Sequence, residues 1–205
     1  MADKQTVAVY DKNIATYRKM VEKLPDLKPL NAFINTLPAG ACVLDWGCGP
    51  GYLAAEMRAC GLRPYCVDAS AEMVKAARND YQLEAKQAQF SELNESQIYD
   101  GIWANFSLLH VKRAAFSSHI SAAASALVPS GLFYISIKIG RGEERDELGR
   151  FYSYFRQDEL EDILGQSGFE IVDKFTGKSK GMAGKLEEWV GLLAELPTPQ
   201  ASTQE

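Results

Sequence analysis

The sequence contains few residues that bind metals or form disulfides. Its 205 residues include two histidines and four cysteines, and Cys42, Cys48, Cys60 and Cys66 form no Cys-x-x-Cys pair. Metal-ligand spacing is therefore absent, and unpaired thiols are typical of a protein kept in a reducing compartment. We expect reduced cysteines, no bound metal and a cytoplasmic location.

Long apolar runs and concentrated positive charge are also absent. No apolar stretch approaches the roughly 20 residues that span a membrane, and residues 1–5 lack the apolar centre of a signal peptide. Lysine and arginine are scattered, and the formal net charge is -5. Such a chain is not suited to follow a phosphate backbone. We therefore expect neither a membrane nor DNA as a partner.

The chain does have the composition and length of one ordinary globular domain, with 46% hydrophobic and 24% charged residues. Segments with helical spacing alternate with short apolar runs, which predict strands at residues 41–46, 64–68, 84–90, 101–105, 132–137, 169–175 and 187–194. This alternation favours a doubly wound α/β fold with a mostly parallel, seven-stranded sheet. The last two strands have no helix between them, which predicts an antiparallel hairpin at the sheet edge.

The two ends of the chain differ from this alternating body. Residues 7–33 have helical spacing interrupted at Leu24-Pro25, which predicts two helices before the first strand. We interpret residues 1–37 as a helical lid and residues 38–196 as the cofactor-binding domain. Residues 197–205 are polar and contain proline, which predicts a disordered tail.

A glycine-rich segment connects the first predicted strand to the next helix. Gly47, Gly49 and Gly51 lie where the backbone must turn sharply and approach a ligand closely. The start of the helix also presents backbone N–H groups to a ligand. Asp68 ends the second strand, where an acid can accept both hydroxyls of a ribose. These features predict either a nicotinamide dinucleotide or an adenosyl sulfonium as cofactor.

Two details weigh against the nicotinamide. Tyr52 stands where the last glycine of a dinucleotide-binding fingerprint belongs. Tyr134 and Lys138 match the Tyr-x-x-x-Lys pair of short-chain dehydrogenases, but that pair works on a helix. Here the surrounding sequence predicts a strand, which would hold the two side chains about 13 Å apart. We interpret the match as a coincidence and keep an NAD(P)-dependent oxidoreductase as an alternative.

Residues 43–51 resemble motif I of class I S-adenosylmethionine-dependent methyltransferases. Val67-Asp68-Ala69-Ser70 resembles their acidic post-I motif, residues 99–111 the fourth-strand segment of members that act on small molecules, and residues 127–132 their turn into the fifth strand. The resemblance implies a Rossmann-like fold, S-adenosylmethionine as cofactor and S-adenosylhomocysteine as product. It also implies transfer of a methyl group to an acceptor by direct displacement.

The resemblance implies roles for matching residues. Asp45 and the loop glycines would hold the methionine part, Asp68 the ribose, and Ala69 and Met73 the adenine. Many relatives have an acid for the adenine amine where this chain has Gln89. The full set of implied cofactor contacts is Tyr17, Asp45, Gly47, Cys48, Gly49, Gly51, Asp68, Ala69, Met73, Ala88, Gln89, Phe90, Asn105, Phe106 and Ser107.

The acceptor side is less defined by the sequence. His110 is the candidate general base, and Tyr10 is predicted to contact substrate from the lid. Arg150 and Tyr152 follow the fifth strand, where α/β sheets bind ligands, and an arginine there would favour an anionic acceptor.

We expect the acceptor to be a small molecule. The segment Asn105-Phe106-Ser107-Leu108 lacks the Asn/Asp-Pro-Pro-Tyr/Phe motif of enzymes that methylate DNA bases or glutamine side chains. Methylation of tRNA or protein, and a regulatory protein that binds S-adenosylmethionine without catalysis, remain alternatives.

Overall fold

The computed structural model describes residues 3–21 and 27–198, which form a seven-stranded sheet of order β3-β2-β1-β4-β5-β9-β8. Its strands are β1 (Cys42–Trp46), β2 (Arg63–Asp68), β3 (Ala85–Gln87), β4 (Tyr99–Asn105), β5 (Leu127–Lys138), β8 (Glu170–Lys180) and β9 (Leu186–Glu195). The first five are parallel, and β9 pairs antiparallel with both β5 and β8. The predicted mostly parallel sheet with an antiparallel edge hairpin is confirmed.

Helices cover both faces of this sheet. They are α1 (Lys4–Lys12), α2 (Ile14–Val21), α3 (Lys28–Thr36), α4 (Tyr52–Ala59), α5 (Ala71–Tyr81), α6 (Arg113–Ala126) and α7 (Gln157–Gln166). Apolar side chains of α3, α4 and α5 pack on one face, and those of α6 and α7 pack on the other. In the described part of the chain, no helix is long and apolar enough to cross a membrane.

The central strand β1 shows why a short apolar run becomes buried on both sides. Successive side chains of a strand point to opposite faces. Val43 therefore packs in the cluster that contains Phe33 and Met57, whereas Leu44 packs in the cluster of the opposite face. Both are at most 1% exposed, and burial of each stabilises the fold by about 1.5–3 kcal/mol. The strand's carboxyl end is thereby fixed where the glycine loop begins.

Tyr134 and Lys138 lie in β5, as the sequence predicted, and both have structural partners. The Tyr134 ring stacks on Trp103 with 3.9 Å between ring centroids. Lys138 forms an ion pair with Glu187 of β9. The arrangement confirms that the match to the dehydrogenase pair is a coincidence.

Within residues 3–21 and 27–37, the N-terminal segment contains three helices where the sequence predicted two. The unpredicted break follows α1 at Asn13, whose side-chain amide donates to the Val9 carbonyl at 2.8 Å. A side chain that bonds to its own backbone in this way competes with continuation of the helix. The predicted break at Leu24-Pro25 falls outside the described residues, as do residues 199–205 of the predicted tail.

The charged segment after β5, where the sequence predicted no strand, forms an antiparallel hairpin of β6 (Gly142–Arg145) and β7 (Phe151–Tyr154). Glutamate and arginine are poor strand formers, so local propensity argued against β6. The partner strand β7 contains Ser153, which is fully buried, and Tyr152, which is 3% exposed. Burial of these side chains stabilises the hairpin and outweighs the low strand propensity of β6. This hairpin lies beyond the carboxyl end of β5, next to the predicted site.

Candidate active site

Several positions of the loop after β1 have a backbone conformation that glycine adopts without strain and other residues rarely adopt. Gly47, Gly49 and Gly51 have φ of 90°, 54° and 89°, in the left-handed region that side chains rarely adopt. A Cβ atom on Gly47 would lie 2.3 Å from Cβ of Ser107. The loop backbone is therefore in direct contact with the end of β4, and a ligand above it meets backbone atoms.

Two buried carboxyl groups lie at the ends of β1 and β2. Asp45 is 3% exposed, and its Oδ2 atom has no hydrogen-bond partner among the described residues. Burial, with the neighbouring charge of Asp68, raises the pKa of Asp45 to about 8. A buried carboxylate oxygen without a donor is costly. Asp45 therefore suits an ammonium group supplied by a ligand.

Asp68 is oriented by the backbone around it. Its two carboxylate oxygens accept the N–H groups of Gly49 at 2.9 Å and of Ser70 at 2.8 Å. Burial raises its pKa to about 6, although these hydrogen bonds act in the opposite direction. Each oxygen retains acceptor capacity for a ligand hydroxyl.

Two cavities, of about 170 Å³ and about 40 Å³, meet at this loop. Tyr17, Gly47, Gly49 and Asn105 line both of them. The predicted cofactor residues that line at least one cavity are Tyr17, Asp45, Gly47, Cys48, Gly49, Asp68, Ala69, Met73, Phe90, Asn105, Phe106 and Ser107. Gly51 lies behind this surface, where a Cβ atom would approach Cβ of Ala77 to 2.9 Å. The structure thus brings most of the predicted set together.

Ala88 and Gln89 do not lie at these cavities. Both line a separate groove bounded by β1, β2, β3 and residues 92–99. Gln89 caps the 3-10 turn Phe90–Glu92, and its backbone N–H donates to Glu92 at 2.7 Å. This turn brings Phe90, but not the two preceding residues, to the cavity wall. The structure thus places Ala88 and Gln89 at this groove, and their contact with the adenine stays a prediction.

The floor of the larger cavity is held by Ser136, a residue that the sequence analysis missed. Ser136 is fully buried in β5, and its hydroxyl donates to Oδ1 of Asn105 at 2.8 Å. The hydroxyl oxygen of Ser136 also accepts the backbone N–H of Phe106 at 2.9 Å. Because Oδ1 of Asn105 is engaged, its amide nitrogen remains for a ligand. Phe106 has a φ of 50°, which is unusual for a bulky residue.

Helix α1 forms the roof of the larger cavity and is attached to both sides of it. On one side, Asp3 forms an ion pair with Arg145 at 2.8 Å, and Thr6 Oγ1 accepts a backbone N–H of β7 at 2.8 Å. The Arg145 guanidinium holds the pKa of Asp3 well below its usual range. On the other side, the hydroxyl of Ser70 donates to Asp11 at 2.5 Å. Helix α1 is therefore attached to two sides of the larger cavity, and its role as a lid stays a prediction.

His110 lies in the cavity wall with both ring nitrogens engaged. Nδ1 is 2.6 Å from the carbonyl oxygen of Phe151, so Nδ1 carries the hydrogen. Nε2 then accepts the hydroxyl hydrogen of Tyr10 at 2.8 Å. Burial lowers the pKa of His110 to about 4, so the ring is neutral at pH 7. In this state the ring holds Tyr10, and its role as a base stays a prediction.

Arg150 and Tyr152 were predicted to face the acceptor, but neither lines the two cavities. Arg150 is 2% exposed, and its Nη2 atom lies 2.6 Å from Asp146, four residues earlier across the hairpin turn. Its Nη1 atom donates to the hydroxyl oxygen of Tyr10 at 3.1 Å. The charge of Arg150 is thus neutralised by Asp146, and the contact of Arg150 and Tyr152 with an acceptor stays a prediction. The Arg150 guanidinium supports Tyr10 from behind.

Helix α6 and the residue that precedes it contribute two cavity residues that the sequence analysis missed. Lys112 and His119 line the larger cavity together with Ala115. This spacing of three and four residues places all three on one helix face, which is a signal that a sequence can supply. Lys112 and Ser91 are exposed, so the cavity opens to solvent between α6 and the turn Phe90–Glu92. No group of three or more potential metal ligands occurs among the described residues.

Comparison with known proteins identifies the family. A family profile described as a methyltransferase domain matches residues 17–174. The ubiquinone biosynthesis O-methyltransferase of Xanthomonas axonopodis pv. citri (strain 306) is 33% identical over 106 residues, which cover 48% of this chain and 44% of that protein. The chain thus aligns with less than half of that relative's length.

Solved structures share the fold. The Burkholderia thailandensis 1,6-didemethyltoxoflavin-N1-methyltransferase, with bound 1,6-didemethyltoxoflavin and S-adenosylhomocysteine, has a TM-score of 0.73 at 24% identity, covering 93% of this chain and 88% of that one. A SAM-dependent methyltransferase of Methanosarcina mazei has a TM-score of 0.73 at 19% identity, covering 84% and 99%. The fold, the glycine loop with its two acids, and the profile match agree. The chain belongs to the family of methyltransferase domains.

Proposed function

We propose that this chain transfers a methyl group from S-adenosylmethionine to a small-molecule acceptor by direct displacement. The observation that carries the proposal is the roof formed by α1 over a cavity of about 170 Å³. In this proposal the methyl group and the acceptor lie between Tyr10 and Ser107. Solvent reaches the cavity between α6 and the turn Phe90–Glu92. A small molecule can enter such a cavity, whereas a macromolecule would have to displace α1.

The chain's own residues fit the cofactor. Asp45, with its unpartnered Oδ2, would hold the ammonium group, and Asp68 would accept the ribose hydroxyls. The amide nitrogen of Asn105, left available by Ser136, suits the cofactor carboxylate. When bound, S-adenosylmethionine supplies a methyl carbon that is already activated for displacement. Alignment of the acceptor in a site that excludes water is then the main requirement on the protein.

Tyr10 is the residue that meets the acceptor in this proposal. Its oxygen accepts a hydrogen bond from Arg150 and its hydrogen goes to Nε2 of His110. A further side-chain hydrogen bond with Tyr152 completes the partners of this hydroxyl, so Tyr10 is fixed at the cavity surface and meets the acceptor through its ring. His110 positions Tyr10 and can receive its proton if the acceptor loses one. With its pKa near 4, His110 holds that proton weakly.

The names of similar proteins support a small acceptor. One structure contains a bound heterocycle named in its description, and the partial relative is named for ubiquinone biosynthesis. The anionic acceptor predicted from the sequence rested on Arg150, and Asp146 neutralises the charge of that residue. Lys112 at the cavity opening replaces Arg150 as the proposed contact for a negative charge on the acceptor. It lines the cavity, is exposed and carries a positive charge.

Two measurements test the proposal. Thermal unfolding with S-adenosylhomocysteine at a hundred times its dissociation constant should add about 2.7 kcal/mol, which raises Tm by roughly 5–10 °C. NADH serves as the control and should leave Tm unchanged. Labelled methyl transfer should then reach the small-molecule fraction of a cell extract. Label found only in tRNA or protein would overturn the small acceptor, and no transfer at all would favour a regulatory binding protein.

A further inference from the structure

The connection between β3 and β4 differs from the other crossovers of the parallel sheet. Strands β1, β2 and β4 are each followed by a helix, which is α4, α5 and α6 respectively. Residues 88–98, all of them described, contain only the 3-10 turn Phe90–Glu92. Parallel sheets are normally covered by helices on both faces. The sheet face next to this connection therefore lacks the helix that would complete its cover.

A groove of about 550 Å³ lies at this position, and we call it the β3 groove. Apolar side chains from three elements line it, among them Trp46 of β1, Tyr65 and Val67 of β2, and Leu93 and Ile98 of the connection. Tyr65 and Ile98 are among the few large apolar side chains that are exposed in the described part of the chain. Exposed apolar side chains gathered in one concave site are typical of an interaction surface.

The shape of the β3 groove limits what can fill it. Its walls are the edge strand β3 on one side and residues 92–99 on the other. The same groove on a second copy of the chain is also concave and presents no ridge to fill it. A helix presents a convex apolar face, as α6 does where it packs on this face of the sheet. The groove therefore fits an amphipathic helix whose polar face remains in water.

The charges along the groove favour a basic helix. Glu84, Glu92 and Glu95 line it, and none of them forms an ion pair with a described residue. Glu92 and Glu95 accept backbone N–H groups of neighbouring residues, at 2.7 Å and 3.0 Å. The lining also contains Lys86 and Arg78, but Arg78 donates to a backbone carbonyl of β3 at 2.9 Å. The excess of carboxylates is complementary to lysine or arginine on a bound helix.

We propose that the β3 groove binds an amphipathic helix with basic flanks, supplied by another protein. The helix buries its apolar face against Tyr65 and Ile98, and its cations pair with the carboxylates of the groove. This interaction is independent of the methyl acceptor, because the groove is separate from the two cavities at the glycine loop.

The first test uses synthetic peptides of about 14 residues, or four helical turns. One peptide has leucines on one face and lysines on the other. The second has the same composition with the leucines distributed around the helix, and the third has glutamates in place of the lysines. Fluorescence anisotropy with the full chain, in salt of about 0.15 M where charges are screened beyond roughly 8 Å, gives the affinities.

The amphipathic leucine–lysine peptide should bind at least about tenfold more tightly than either of the others. Equal binding of the first two peptides would indicate attraction by charge alone and would overturn the groove as the site. Equal binding of the first and third would overturn the basic flanks.

The second test places the interaction in the groove. Ile98→Lys is compared with Val172→Lys on the edge strand β8, because the two side chains are 51% and 53% exposed and both changes add one positive charge. Ile98→Lys should weaken the leucine–lysine peptide about tenfold, and Val172→Lys less than about twofold. Equal effects of the two substitutions would overturn the proposal. Circular dichroism checks that both variants fold.

A charge reversal tests the flanks. Glu84→Lys should weaken the leucine–lysine peptide and strengthen the leucine–glutamate peptide, each by about fivefold. Glu170→Lys, at an exposed position of β8, is the control and should change neither affinity by more than about twofold. No difference between the two variants would overturn the role of the groove carboxylates.

Sedimentation of the free chain tests the alternative occupant. We expect no dimer that depends on residue 98. A dimer that Ile98→Lys dissociates and Val172→Lys does not would place a second copy in the groove and overturn the partner helix. S-adenosylhomocysteine should bind the wild type and all four variants equally, so the failure of this proposal is distinguishable from the failure of the proposed function.

Discussion

The hydroxyl oxygen of Tyr10 lies 2.8 Å from Nε2 of His110, although 100 residues separate them in the chain. One hydrogen bond therefore joins the N-terminal roof helix to the segment that follows β4. Arg150 completes the arrangement from the hairpin β6–β7. The position of the roof depends on three elements that meet at one phenol oxygen.

Replacement of Tyr10 by phenylalanine should lower the free energy of unfolding by about 1–3 kcal/mol, because Nε2 of His110 and Nη1 of Arg150 both lose a buried partner. Urea unfolding measures this change. Tyr65→Phe is the matched control, since Tyr65 is 41% exposed and should change stability by less than about 0.5 kcal/mol. Equal effects of the two substitutions would show that the hydrogen bonds of Tyr10 do not hold the roof.

Arg150→Ala should act on stability rather than on acceptor binding. The change leaves the carboxylate of Asp146, 13% exposed, without its ion pair, and the loss of a buried partner costs about 3–5 kcal/mol. Arg156→Ala is the control, because its ion pair with Asp158 is exposed to solvent and its loss should leave stability nearly unchanged. Chemical denaturation compares the two. Weaker acceptor binding at unchanged stability would restore the role that the sequence predicted for Arg150.

A comparison of Gly47 with Gly61 distinguishes the effect of backbone strain from the effect of a close contact made by an added Cβ atom. Their φ values are 90° and 89°, so alanine should cost each about 1 kcal/mol of stability. A Cβ atom on Gly47 meets Ser107 at 2.3 Å, whereas nothing lies within 4 Å of one on Gly61. Calorimetry should show that only Gly47→Ala weakens S-adenosylhomocysteine binding, by roughly tenfold or more. Equal affinities in the two variants would contradict the close approach of the loop to the cofactor.

The pKa of Asp45 predicts that the cofactor displaces a proton. At pH 7 the ligand-free carboxyl, with a pKa of about 8, is mostly protonated. A ligand ammonium group favours the ionised form and lowers this pKa, so binding releases close to one proton. Affinity should therefore rise as the pH increases from about 5 to 8 and level off above that.

Calorimetry in two buffers of different ionisation enthalpy at pH 7 measures this release directly. Asp45→Asn is the control, because an amide has no proton to give in this range. Asp68, with a pKa of about 6, is mostly ionised at pH 7 and contributes only a small fraction. A binding enthalpy that does not depend on the buffer would place the ammonium group away from Asp45.

The parts of the fold that the sequence predicted are those fixed by local patterns. The run that became β1, the glycine loop and Asp68 need only a few consecutive residues to be recognised. Ala88 and Gln89 lie in a groove outside the two cavities, next to a 3-10 turn capped by a hydrogen bond to Glu92, which the sequence did not predict. Such a turn depends on one side-chain contact and has no periodicity.

The parts that were missed depend on contacts between distant segments. In the sequence, Ser136 is a small residue within an apolar strand. Its hydrogen bond to Asn105 forms only because β4 lies beside β5 in the sheet. Asp146 neutralises Arg150 only because the hairpin folds the chain back on itself. His119 was passed over because its ring reaches the cavity only after α6 packs on the sheet. These are consequences of tertiary structure that a single sequence does not encode locally.

The left-handed backbone of Phe106 sets a limit on how far this protein can be stabilised. Glycine adopts that conformation without strain, so selection for thermal stability alone would favour it at this position. Phenylalanine instead places its ring in the cavity and against Trp189, with 5.8 Å between the centroids. Engineering for heat tolerance should therefore leave residue 106 unchanged and begin on surfaces remote from it, where a gain in stability does not alter the shape of the cavity.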